Sequence, residues 1–178
     1  MINITIRNFF LCSSLCIVML LSGCNGANKE STATMMPEAK PDHFNFSVSF
    51  GYGTVNKNEI NTFNNTVTKD LVTKGTATAN LILTNEEMTD IYDRMREIDV
   101  LRELELDNSD SNCSSTPVNE DHWEIQVEGE QRTFDWSSEK CDLTDDAIKL
   151  EELRNYIFDI VKEKKEYREL PEAAGGYD

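Results

Sequence analysis

The chain has 178 residues, of which 33 are Asp or Glu and 17 are Lys or Arg, so its formal net charge is −16 at pH 7. A surface this acidic repels phosphate backbones and anionic lipid headgroups, which argues against a nucleic-acid ligand and against electrostatic docking on membranes. Acidity of this kind usually serves solubility, and its functional alternative is a basic partner or cations drawn to the surface.

The N-terminal segment contains an apolar run that follows Arg7 and ends in Leu21-Ser22-Gly23-Cys24. The run is shorter than the roughly 17 to 25 residues of a membrane-spanning helix. Its length, the preceding positive charge and the small residues at its end are typical of a signal peptide. A plain secreted protein and an uncleaved anchor are the alternatives to the interpretation that follows.

The last four residues of this run resemble the lipobox of bacterial lipoproteins. The resemblance implies that residues 1–23 are removed as a signal peptide and that Cys24 carries a diacylglyceryl group, with palmitate as a typical chain. Two acyl chains on one residue hold a protein stably on a membrane. The implied location is the extracytoplasmic face of the cell membrane, with the lipid on Cys24 as the anchor.

Removal of residues 1–23 leaves 155 residues, a length that suits one domain of ordinary size and not two. Residues 24–41 are polar and small without periodicity, and we expect a flexible tether there. Residues 42–178 then form a single extracytoplasmic domain. Of the cysteines, Cys113 and Cys141 are the two that remain in this domain, and in an oxidising compartment they most simply form a disulfide.

The first half of the domain predicts antiparallel strands. Residues 44–52 alternate aromatic or apolar side chains with small polar ones, which is the period of a half-buried strand. Three further β-favouring segments follow over residues 59–63, 66–72 and 76–83, separated by Asn64-Asn65 and by Lys74-Gly75.

The second half predicts a helix, a loop, a hairpin and a second helix. Thr84 and Glu87 have the spacing of a capping box at the start of the first helix, and Thr144 is the expected N-cap of the last one. Between them, residues 107–121 are rich in Asp, Asn and Ser and are predicted to form a loop. The spacing of the acidic residues in this loop is not that of an EF-hand calcium site. A Gly129-Glu130 turn would place Trp123 opposite Trp136 and Glu124 opposite Asp135.

Together these elements predict an α+β fold, with a single antiparallel sheet and two helices packed on one face. The polar tether, the Asn- and Thr-rich body and the Tyr-x-x-Leu-Pro…Gly-Gly-Tyr ending over residues 167–177 resemble small lipoproteins of Bacillus-like bacteria. That resemblance implies no particular activity.

Local signatures of catalysis, phosphate binding and zinc binding are missing from the sequence, so we predict no catalytic residue, cofactor or metal. The favoured hypothesis is a binding or interaction module at the cell envelope whose ligand is another envelope protein or a wall polymer. The alternatives are an envelope inhibitor or chaperone-like protein, and a hydrolase that uses carboxylates.

Overall fold

A computed structural model of the protein describes residues 35–52, 58–108 and 111–177. Four strands precede a helix, and a pair of strands and a second helix follow, in the predicted order, with a short third helix at the end. The elements are β1 Phe44–Tyr52, β2 Asn58–Asn61, β3 Thr66–Asp70, β4 Thr76–Asn80, α1 Asn85–Ile98, β5 Asn119–Val127, β6 Glu130–Ser137, α2 Asp145–Glu163 and α3 Lys165–Arg168.

The strands form one six-stranded sheet in the order β4-β3-β2-β1-β5-β6, and every neighbouring pair is antiparallel. Strands β1 to β4 follow one another as a meander. The chain then returns through α1 to the other side of β1, where β5 and β6 form a hairpin. The long strand β1 therefore lies in the middle of the sheet and pairs with β5 along its whole length.

Both long helices cover the same face of the sheet. The ring of Tyr92 in α1 lies 5.0 Å from that of Phe44, and the ring of Phe158 in α2 lies 5.0 Å from that of Phe50. Because Phe44 and Phe50 are an even number of residues apart in β1, they point to one side. The predicted α+β class, with one antiparallel sheet and two helices on one face, is confirmed.

The two long helices begin where the sequence predicts. The Thr84 side chain accepts a hydrogen bond from the Glu87 amide, and the Glu87 carboxylate accepts one from the Thr84 amide, so the capping box is formed. The Thr144 hydroxyl caps α2 by accepting from the Ala147 amide. Helix α2 ends at Glu163 because Lys164 has extended dihedral angles.

The predicted register of the β5–β6 hairpin is wrong by two residues. The turn consists of Glu128 and Gly129, with φ angles of 51° and 87°, and not of Gly129 and Glu130. Two positive φ angles define a type I′ turn, whose twist matches that of the strands it joins. As a result Trp123 lies opposite Phe134, with ring centroids 6.2 Å apart, and Trp136 lies opposite Asp121. A shift of two residues keeps every side chain on its predicted face.

Ordered contacts begin before residue 42. Met36 is buried with 6% of its surface exposed, and the carbonyl of Pro37 accepts a hydrogen bond of 2.7 Å from the Tyr92 hydroxyl. The end of the segment predicted as a tether therefore packs on α1. The predicted signal peptide of residues 1–23, Cys24 and the rest of the predicted tether up to residue 34 lie outside the described residues.

Candidate functional site

The face of the sheet opposite α1 and α2 is polar on all six strands, because the alternation that buries one set of side chains sends the other set outward. We call this surface the open face. No described helix covers it. Its residues are Asn45, Ser47, Ser49, Gly51, Glu59, Asn61, Thr66, Thr68, Asp70, Thr76, Thr78, Asn80, Glu120, His122, Glu124, Gln126, Gln131, Thr133, Asp135 and Ser137.

Side chains of the open face bind one another across and along the strands. The hydroxyls of Thr68 and Thr78 lie 2.9 Å apart, and the Gln131 amide donates to Glu124 at 2.8 Å. Such pairs stabilise a sheet by roughly 0.2 to 1 kcal/mol each. The open-face positions of the six described strands hold carboxylates, amides, hydroxyls, the His122 imidazole and Gly51, but neither Lys nor Arg.

A cavity of about 520 Å³ opens at the β5–β6 end of this face. Its walls include Ser49 of β1, His122 of β5 and Asp135 of β6, together with Leu106 and Asp107 from the segment that follows α1. A volume of this size is within the roughly 300 to 1,000 Å³ of small-ligand sites. The cavity and the open face around it are the candidate functional site.

His122 and Asp135 form a cross-strand pair in the wall of this cavity. They are directly opposite in the register, and the His122 Nδ1 and Asp135 Oδ1 atoms lie 2.7 Å apart. The predicted Glu124–Asp135 pair is therefore wrong, since Glu124 lies opposite Thr133. The turn at residues 128 and 129 decides this outcome, because it moves Asp135 from Glu124 to His122.

Ser49, His122 and Asp135 follow one another across three strands, an order that also occurs in serine hydrolases. Acyl transfer in such enzymes needs hydrogen-bond donors for the developing oxyanion, commonly backbone N–H groups. In the middle of a sheet the backbone N–H groups already donate hydrogen bonds to neighbouring strands. The geometry of this row therefore favours binding over acyl transfer.

A buried ion pair supports the cavity from the helix side of the sheet. Asp121 is 2% exposed and Arg154 of α2 is 7% exposed, with the Arg154 Nε and Asp121 Oδ2 atoms 3.4 Å apart. Asp121 also lines the cavity. The pair joins α2 to β5, and it thereby fixes the strand that presents His122.

Cys113 and Cys141 lie together, and Cys141 directly follows Lys140, which lines the cavity. Their sulfur atoms are 2.10 Å apart and their Cα atoms 5.3 Å apart, which is the separation found in disulfides. The amide of Ser115 bonds the Glu139 carbonyl beside them. Since Glu139 and Lys140 line the cavity, this link holds one of its walls. The sequence predicts the cysteine pair but carries no local signal of the cavity.

No His, Cys, Asp or Glu side chains in the described segments converge in groups of three or more that could hold a metal ion. Within the same segments, no helix is both long and apolar enough to cross a bilayer. No family model, curated protein or solved structure matches the chain. The fold and the site are thus the basis of the functional proposal.

Proposed function

We propose that the protein is a lipoprotein, anchored through Cys24 on the extracytoplasmic face of the cell membrane, and that its body is a binding module for an envelope protein or wall polymer. The ligand lies on the open face. The ending of the apolar N-terminal run in Leu21-Ser22-Gly23-Cys24 supports the anchor. The geometry of Cys113 and Cys141 agrees with an exported domain.

The open face is the observation that carries the binding proposal. Antiparallel sheets commonly leave one face in water, so exposure by itself is not informative. Two features set this face apart. The first is a cavity of about 520 Å³. The second is that the described strands have no Lys or Arg at their outward positions. Charged residues, especially Lys, are common on exposed strands that must avoid pairing with other chains.

Photo-crosslinking in intact cells tests the proposal. A photoreactive amino acid replaces Thr133, which is exposed on the open face, and in a matched protein it replaces Glu152, which is exposed on α2. We expect a discrete adduct from position 133 and none from position 152. Protease and wall-hydrolase digestion of the adduct then distinguish a protein from a wall polymer.

Equal labelling from the two positions, or none from either, would contradict the assignment of the open face as the binding surface. Because both substitutions leave the full chain and its anchor intact, either result would bear on the surface and not on localisation.

A further inference from the structure

The partner's chemistry can be inferred from the charges of the open face, an inference that rests on the proposed function. We propose that the partner is a polypeptide segment bearing Lys or Arg, and that its basic side chains bind Glu59, Glu124 and Asp135. The face is thus a docking surface for a basic protein segment and not for a neutral polymer.

These three carboxylates have hydrogen-bond partners that are amide or imidazole groups. Asn61 Nδ2 donates to Glu59 at 2.8 Å, Gln131 Nε2 donates to Glu124 at 2.8 Å, and His122 Nδ1 lies 2.7 Å from Asp135. Each carboxylate is therefore held in place by its neighbours and keeps further acceptor positions open to a cation, since a carboxylate accepts about four hydrogen bonds.

The ion pairs that Lys and Arg make among the described residues lie elsewhere. They join α2 to β5, α1 to the residue after α2, the segment after α1 to the start of α2, and β3 to the C-terminal tail. The others lie within residues 151–169. None of these ion pairs involves an outward position of the described strands. A basic partner complements the open face because the described strands supply no Lys or Arg there.

The spacing of the three carboxylates suits a polypeptide. Glu59 and Asp135 lie in one cross-strand row with Ser49 and His122 between them, so three strand spacings separate them by about 14 Å. Glu124 lies two residues along β5 from that row, or about 7 Å away. The three points are not on one line. A linear polyamine can follow the row, whereas a peptide with several basic side chains can reach all three.

The cavity at Asp135 provides an anchor for one basic side chain. Its lining includes the acidic residues Asp107, Asp135 and Glu139 and one basic residue, Lys140. Long basic side chains bury their methylene groups while the charged end meets an acid. A cavity with this excess of carboxylates favours a Lys or Arg side chain.

Binding of a fluorescein-labelled peptide of ten lysines, followed by fluorescence anisotropy, tests the proposal. The full chain in a nonionic detergent is compared with its Glu59→Gln/Glu124→Gln/Asp135→Asn variant at low ionic strength. Exposed ion pairs contribute little individually, and three of them together predict an affinity loss of about tenfold or more. The wild-type affinity should fall as salt is added, because salt screens exposed charges.

The matched control is the Asp93→Asn/Glu97→Gln/Glu152→Gln variant, which removes the same charge from exposed positions on α1 and α2. Its affinity should stay within about twofold of wild type. Spermine serves as the competitor that carries cations without a peptide backbone, and it should compete only weakly. Equal thermal midpoints of the two variants establish that both are folded.

Three results would overturn the proposal: no binding of the lysine peptide to the wild type, an equal loss in both variants, or competition by spermine as strong as that by unlabelled peptide. If one of these is found while the photoreactive group at Thr133 still gives a discrete adduct in cells, the open face binds a partner of another chemistry. Failure of both experiments would instead remove the binding proposal itself.

Discussion

The ion pair between Arg154 and Asp121 gives the most direct test of how α2 holds the sheet. Both side chains are more than nine-tenths buried, and the guanidinium of Arg154 also contacts Glu151 at 3.1 Å and lies 5.4 Å from the centre of the Phe50 ring. Removing one member of a buried ion pair costs about 3 to 5 kcal/mol, because the other charge stays desolvated. The total stability of a domain is about 5 to 15 kcal/mol.

We therefore expect Arg154→Met to destabilise the protein by about 3 to 5 kcal/mol. The opposite change, Asp121→Leu, should also destabilise the protein, because it leaves the buried charge of Arg154 with its contact to Glu151 alone among the ion pairs shown. The double variant Asp121→Leu/Arg154→Met has neither buried charge, and its stability should be close to that of the wild type. The two single effects should thus be strongly non-additive.

Thermal unfolding followed by near-ultraviolet circular dichroism measures these effects. For a domain of this size, 1 kcal/mol corresponds to about 2 to 4 °C, so the midpoint of Arg154→Met should fall by about 6 to 20 °C. A fall of less than about 2 °C would refute the reasoning. So would a double variant whose loss equals the sum of the two single losses.

Three further predictions concern the anchor, the cysteines and the response to acid. Cys24→Ala should abolish labelling by a fatty-acid analogue and release the protein from membranes or leave the precursor uncleaved; normal labelling would exclude the lipid anchor. Replacing Cys113 and Cys141, which are 28 residues apart, with Ser should lower the free energy of unfolding by about 3 to 4 kcal/mol, measured as a lower thermal midpoint. Mass analysis should find the unreduced wild type two hydrogens lighter than the reduced form. The Arg102 hydrogen bond lowers the pKa of Asp146 against the opposing effect of burial, so its contribution to stability is present above the ordinary pKa of Asp and is lost as pH falls through the lowered pKa. Thermal midpoints measured from neutral pH down to about pH 2 should therefore fall less in Asp146→Asn than in the wild type, and parallel curves would contradict this assignment.

Features that depend on neighbouring residues are predictable from the sequence alone. The alternation in β1 defines its buried face, because side chains along a strand point to opposite sides. The capping box at Thr84 and Glu87 places the start of α1, since both of its hydrogen bonds lie within four residues. The α+β class follows from such local elements and from their order along the chain.

The hairpin register illustrates where local patterns stop being sufficient. Gly129 can serve in either of two tight turns, and both registers bury the same side chains. In the structure the turn lies at residues 128 and 129, where Glu128 has a positive φ, and β5 is paired with β1. The sequence pattern alone does not separate these two arrangements, so the partners of Trp136, Glu124 and Asp135 were predicted wrongly.

Only the tertiary structure decided which residues form the candidate site. Glu59 is far from His122 and Asp135 in the sequence, and the return of the chain through α1, which inserts β5 beside β1, brings it into one row with them. The hairpin turn places Asp135 opposite His122. The packing of both helices on the opposite side leaves that row uncovered by any described helix. Strand order and helix placement minimise the exposed apolar area of the whole domain, a quantity that no local segment of sequence contains.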